Sequence, residues 1–506
     1  MNALKRLGLT LALAVAAAGA VAGAAAAEPA LTIYNQDFAV VRETVPLDLE
    51  AGANRIAFTD ITAHLEPDSV MLRDPAGKRA IQILEQDYRG DPVSQGRLLD
   101  LYEGERIGFL VQRGEEQEVV MGRIVRSGYV PPNPAMNRSG YNYAQQQAAQ
   151  AAAGQPIIEV NNLLRFDLPG VPLFPALKDD TVLKPTLNWV LEADRAGALD
   201  AELCYVTGGM TWEASYNLVA PEKGDTLDVV GWVTMENRTG RTFPDARIKL
   251  MAGDVSKIQE DRRYMVGGFL AVPSSGAGLM PPVAEKTFDE YHLYTLARPT
   301  TLHDGETKQV EFIRAAKVAF NRFYVYDGFK TDQNRYHGWD SAMIRNEHNY
   351  GTGSNPDVWT MCEFANTKAN HLGMPLPKGR TRFYRRDDDR QLEFTGENTI
   401  DHTPRDETVR VYVGNAFDLA GERRRTDYLI DTGRRTADEA FEIRLRNRKD
   451  GPVQIRVVEH LYRWHTWEIL ASSDPFEKLD SQLIEFRVEV PPGEERIVTY
   501  NVHYTW

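Results

Sequence analysis

The chain has 506 residues, 42% of them hydrophobic and 26% charged, and carries a formal net charge of −14. That composition fills several cores and excludes wholesale disorder, and the length suggests about three domains. The acidic balance repels nucleic-acid phosphates and anionic lipid headgroups, so neither is expected as a partner.

Lys5 and Arg6 precede an apolar, small-residue stretch from Leu7 to Ala27, which closes on Ala25-Ala26-Ala27. Residues 1–27 therefore read as a signal peptide cleaved between Ala27 and Glu28, placing the mature chain in the periplasm or outside the cell. A retained anchor is the competing reading. The stretch is mostly alanine, weakly apolar, with no polybasic stop after it. No later segment supplies the run of about 18 apolar residues that a spanning helix requires.

Residues 28–170 read as a small N-terminal β-domain, with strands expected at 31–34, 56–58, 107–111 and 119–125. A Pro-, Asn-, Gln- and Ala-rich excursion interrupts it at 128–156, and the sheet resumes at 157. Residues 186–325 form a first β-sandwich unit with a flexible Gly/Ser/Pro insert at 267–282. A polar, aromatic loop region covers 327–356. A C-terminal sandwich follows at 358–506 and carries the cleanest alternation.

There Ile484, Phe486, Val488 and Val490 share one face, while Glu485, Arg487 and Glu489 share the other. Phe441, Ile443 and Leu445 against Glu442, Arg444 and Arg446 repeat it, as do Val409, Val411 and Val413. Period two with one oily face is the habit of antiparallel sheets. The expected fold is all-β and multi-domain: antiparallel β-sandwiches, immunoglobulin-like or similar. The alternation from Val498 to Trp506 reads as a last core strand rather than an outer-membrane sorting signal, because most strands are too short for a barrel.

Two cysteines occur, Cys204 and Cys362. In an oxidising compartment they could pair, given Cα atoms within about 7 Å. Each also sits in an apolar strand-like stretch, where a free thiol packs as a small hydrophobe. Both readings stand at this stage.

One run, Tyr205-Val-Thr-Gly-Gly-Met-Thr-Trp212-Glu-Ala-Ser-Tyr216, resembles a bacterial secreted family, domain of unknown function 4139, the C-terminal domain of mucoidy-inhibitor-like proteins. Further motifs follow in order: Trp232, Asn237-Arg-Thr-Gly240, Ala252-Gly-Asp-Val255, Tyr294, Thr300-Thr-Leu302, Met374-Pro-Leu-Pro-Lys-Gly-Arg380, His402-Thr-Pro404, Asn447, Tyr500 and Trp506. The similarity spans about residues 186–506. It departs at the front, where such proteins carry a coiled coil and this chain has no sustained heptads. The resemblance implies a β-rich exported protein and supplies no catalytic residues. Independently, Tyr205, Trp212 and Tyr216 read as sandwich core, and Asn237–Gly240 as a turn with Gly240 at positive φ.

Chemistry is sparse. No Gly-x-Ser-x-Gly elbow and no His-Glu-x-x-His occurs. His460 and His465 are an odd number apart, on opposite faces of a regular strand. Asp387-Asp388-Asp389 lies among Arg385, Arg386 and Arg390 and reads as a solvated turn, so no metal and no cofactor are expected. His402 reads as a structural hydrogen-bonding group. Asp254, Glu397 and Glu459 sit in or beside apolar strands, where burial would prepare a carboxyl for proton transfer. Tyr324, Tyr326, Tyr336 and Trp339 lie among Asn, Asp and His, as in a surface where sugar faces stack on rings. The sequence thus points to a non-catalytic exported envelope protein that binds a glycan or protein partner. The alternative is an envelope glycan or peptide hydrolase using buried carboxylates.

Overall fold

The computed structural model describes residues 28–90, 93–114, 116–129, 154–175, 183–253, 255, 257, 283–288, 291–331 and 335–506. The protein is all-β, 63% strand and 5% helix, with multiple antiparallel sheets in a sandwich-like arrangement. Alternation in sequence becomes alternation in burial. In the strand Thr436–Asn447 every second residue from Ala437 onward is buried. In Leu483–Val490, Ile484, Phe486, Val488 and Val490 are all at most 1% exposed. Each such side chain contributes about 1.5–3 kcal/mol by leaving water. Among the described residues, no helix is long and apolar enough to cross a membrane.

The first core draws on strands from most of the sequence. Ala30–Tyr34 runs antiparallel to Phe38–Leu49 and parallel to Phe243–Ala252, with Ile33 opposite Leu250. Phe38–Leu49 in turn pairs along its full length with Gly197–Gly208. Pairing therefore crosses the boundary expected near residue 170, and residues at both ends of it share one core with Leu31, Val41, Trp189, Tyr205, Trp212 and Tyr216. What stands apart is smaller. The strands Arg106–Arg113, Glu116–Arg126, Ile157–Val160, Leu163–Arg165 and Val171–Leu173 form a five-stranded sheet. The helix Gln95–Leu101 accompanies it, capped by the Ser94 side chain, and Leu99, Ile107, Phe109, Ile124 and Ile158 make its own core. Ile157–Val160 resumes the sheet as expected; most of the excursion, residues 130–153, and the insert at 267–282 lie outside the described residues.

The boundary expected between 325 and 358 is crossed as well. Gly379–Arg386 leaves the C-terminal region to pair in parallel with Met210–Ala220, in a sheet that also holds Thr226–Asn237, Thr307–Ala319 and Leu392–Ile400. Asn321–Asp327 joins the nine-stranded C-terminal sheet, parallel to Val453–His460. The strand Thr408–Asp431 gives Val409, Val411 and Val413 to the first core and Leu419 to the second. The second core is centred on Phe441, Ile443, Ile455, Phe486, Val498, Tyr500 and Tyr504, so Glu495–Thr505 is its closing strand.

Trp212, Tyr216 and Tyr294 are core residues with tethered polar ends. Trp212 Nε1 donates to the Met251 carbonyl at 3.1 Å, Tyr216 Oη to Pro377 at 2.6 Å and Tyr294 Oη to Pro375 at 3.0 Å. Gly240 takes φ +78°, as its turn requires, and Gly209 takes φ +80° at the reversal between Gly197–Gly208 and Met210–Ala220. Cys204 and Cys362 are free thiols, one on the eight-stranded sheet and one on the nine-stranded sheet, and the bridge left open by the sequence is not formed.

Close packing at Gly421 gives a direct check. A Cβ there would overlap the ring of Tyr326, whereas one at Gly451 meets nothing within 4 Å. Gly421→Ala is expected to cost about 1–3 kcal/mol in urea unfolding, and Gly451→Ala well under that.

Candidate functional site

The loop between Asp327 and Asp357 is polar, yet two buried arginines grip its backbone between Ile344 and Gly351. Its short helix Ser341–Asn346 starts under the Asp340 side chain, which accepts from the Met343 amide at 2.8 Å. A helix leaves its last carbonyls without partners. Here Arg463 Nη1 donates to the carbonyls of Ile344, Arg345 and Glu347 at 2.8, 3.2 and 2.6 Å. The remaining Arg463 donors, Nε and Nη2, reach Glu439 Oε1 at 3.2 and 3.0 Å, and both side chains are wholly buried. Arg425 adds a second cation at 3.0 Å from the same oxygen.

Arg423 holds the loop a few residues further on, at Gly351. Its Nη1 donates to the Gly351 carbonyl at 2.6 Å, and its Nε lies 3.0 and 2.9 Å from the two oxygens of Glu459. Tyr500 Oη donates to Glu459 Oε2 at 2.6 Å, and the Arg423 guanidinium lies over Phe441 at 4.0 Å. Burial alone would lower the Arg423 pKa, but the adjacent Glu459 carboxylate outweighs it and holds the guanidinium above its ordinary value. The phenol of Tyr500 is pushed well up, by burial first and then by Glu459, and stays a neutral donor.

On this support stands a column of rings. Trp339 meets Tyr336 edge-on at 5.0 Å, Tyr336 meets Tyr350 at 4.9 Å, and Tyr350 meets Tyr462 at 5.4 Å. Phe329 joins Tyr462 at 5.2 Å and His460 at 4.9 Å. Trp339 and Tyr336 are half-buried, with Arg335, His337 and His348 exposed around them. Arg335 lies over the Tyr336 ring at 5.2 Å, and His348 meets Tyr428 at 4.8 Å. The result is an outward surface of fixed rings flanked by hydrogen-bonding groups.

The four ring candidates divide. Tyr336 and Trp339 come together at this surface. Tyr326 is fully buried beneath it, against Gly328 and Gly421, so it supports the surface and cannot meet a ligand. Tyr324 is half-buried further along the same strand, opposite Ile455, where Lys449 Nζ lies 5.6 Å from its ring.

The two carboxylate candidates among the described residues, Glu397 and Glu459, do not converge. Glu459 is sealed between Arg423 and Tyr500. Glu397 is exposed on a different sheet, 3.7 Å from Arg382, and Asp254 lies outside the described residues. His460 Nε2 contacts Asp327 at 3.0 Å while His465 lies on Trp464 at 4.5 Å. His402 Nδ1 accepts from the Lys378 amide at 3.1 Å, the structural role expected of it. Asp387, Asp388 and Asp389 are exposed, with ligand oxygens within 4.8 Å of one another, and Asp387 and Asp389 accept backbone amides within their own turn.

Sequence reasoning missed Arg423, Arg463 and Glu439. A signal existed for Glu439, which occupies the inward parity between Ala437 and Phe441. Compared with protein-family models and with curated proteins, the chain finds no match in either.

Removing one partner of a buried pair strands the other charge. Arg423→Leu is expected to lower unfolding free energy by about 3–5 kcal/mol, and the double variant Arg423→Leu/Glu459→Leu to recover much of it in urea titrations. Arg463→Gln should speed amide hydrogen exchange in residues 341–351 more than in the strand Leu483–Val490.

Proposed function

We propose that this is an exported, non-catalytic β-sandwich protein of the cell envelope, which binds a partner through the ring surface of Tyr336 and Trp339. The leader-like residues 1–27 support export, and the ordered motifs support the resemblance to the secreted domain of unknown function. The observation carrying the binding reading is the clamp: rings presented to solvent on a loop whose backbone is gripped by Arg423 and Arg463. Rings fixed before binding lose little freedom on contact, which favours recognition. A glycan is the preferred partner, because half-exposed rings beside His337, Asn349 and Arg335 offer stacking and hydrogen bonds together. A protein partner is the second outcome.

Glu459, the carboxylate on which a hydrolase would most depend, has its oxygens occupied by Arg423 and Tyr500 and no exposure. That favours binding over turnover.

A glycan array, with envelope-protein capture beside it, tests the reading. Signal on either that falls at least about tenfold in Trp339→Ala, with unchanged circular dichroism, is the expected result. Turnover of a glycan or peptide substrate that is abolished by Glu459→Gln in a folded variant overturns it.

A further inference from the structure

The five-stranded sheet near the N-terminus buries one face against the helix Gln95–Leu101 and its own small core. Register sets out what the opposite face carries. Val171, Leu110 and Val119 form one row across three strands, and Leu173, Gly108 and Met121 form the next. A third row holds Arg106, Arg123, Glu159 and Leu164. Val119, Met121, Leu164, Val171 and Leu173 are 43–63% exposed, and Val125 and Phe166, at the ends of two of the strands, are exposed as well.

Other sheets of this chain place charge on the side away from their core. On Thr436–Asn447, Arg444 pairs with Glu442 and Arg446 with Glu422. Here the runs Phe109-Leu110-Val111 and Val119-Val120-Met121 are apolar on both sides, the pattern of strands buried on both faces. The five half-exposed side chains leave on the order of 500 Å² of apolar surface on one face, as much as a lone soluble protein ordinarily carries. A sheet with two oily faces calls for a second layer.

We propose that a second copy of this chain supplies that layer, through a two-fold, face-to-face contact between the two sheets. Joining the faces removes on the order of 1,000 Å² in all, the size at which a specific and reversible contact becomes stable. The shape is self-complementary. Gly108 leaves a dip between Val119 and Leu173, where an added Cβ would lie 3.1 and 3.7 Å from their side chains, and Met121 stands directly opposite Gly108 in the register. A two-fold axis running along the strands above this ladder sets each Met121 over the other copy's Gly108, and each Val119 over the other copy's Leu110. The charged row fits the same operation. Among the described residues Arg106 has no carboxylate partner, while both donors of Arg123 go to one oxygen of Glu159, Oε2, at 2.9 and 2.6 Å. The axis brings Arg106 of one copy to the row in which Glu159 of the other has Oε1 to offer. This contact is separate from the Trp339 surface and does not rest on it.

Sedimentation equilibrium of the full chain tests the contact, over about 1 to 100 µM, the span in which a joint of this size is half-formed. Salt at about 0.15 M screens the repulsion between two chains of net charge −14. The average mass is expected to rise with concentration from one chain toward two, and no further. Met121→Lys, which sets an ammonium in the middle of the joint, should weaken association at least about tenfold, and Val171→Lys on the sheet's edge should weaken it likewise. Both positions are exposed, so each variant should keep the circular dichroism and melting temperature of the parent. Phe417→Lys, which replaces a fully exposed ring on the nine-stranded sheet, should associate as the parent does, and so should Trp339→Ala. A single-chain mass at every concentration overturns the proposal and leaves the face to another part of this chain or to a different protein. Equal association in Met121→Lys and Val171→Lys overturns it too, as does growth past two chains, which marks unspecific sticking.

Discussion

Two guanidinium groups taken wholly out of water set the terms for the C-terminal half of the molecule. Burying such a charge costs several kcal/mol unless its donors are matched. Glu459 and Glu439 neutralise Arg423 and Arg463, but one carboxylate cannot serve every donor of an arginine. Further acceptors come from the backbone of the polar loop, at Ile344, Arg345, Glu347 and Gly351. Loop and core are therefore mutually dependent. Lifting the loop would strip both cations of partners, and the ring column from Trp339 to Tyr462 keeps its spacing for that reason.

A related device recurs where strands end. Asn237, Asn366 and Asn447 are each fully buried. Asn237 donates to the carbonyls of Arg241 and Leu302, Asn366 to Met374 and Pro404, and Asn447 to Gly451 and Val490. In each case a short amide ties a local turn to a segment distant in sequence. Backbone carbonyls that a sheet leaves over at its end are satisfied without water, which lets the turns pack down on the cores.

Strand positions and their buried faces were legible in the sequence because both are local properties. Ile484 to Val490 and Ala437 to Leu445 announce their inward sides residue by residue. Partner choice is not local. Nothing in Ala30–Tyr34 names Phe243–Ala252 as its neighbour, and shifts in composition near 170 and 325 mark loops rather than the edges of sheets. The same division holds at the candidate site. Rings in a polar loop identify Tyr336 and Trp339, but Phe323-Tyr324-Val325-Tyr326 is apolar on both faces, and the burial of Tyr326 depends on Gly421 far along the chain. Glu459 drew notice as an acid in an apolar strand, whereas its partner Arg423 is 36 residues away.

The first strand carries a consequence for how the protein matures. Ala30–Tyr34 lies between a neighbour only a few residues downstream and another, Phe243–Ala252, more than two hundred residues later. In a chain synthesised from its N-terminus, this strand emerges long before that second neighbour. The larger core cannot close meanwhile, and pairing across such sequence separations is slow in any case. The emerging half must stay open, with Leu31 and Ile33 unsheltered, until the late strand arrives. Such a topology delays compaction until Phe243–Ala252 has been made and makes the interval before closure the one in which a holding chaperone matters most.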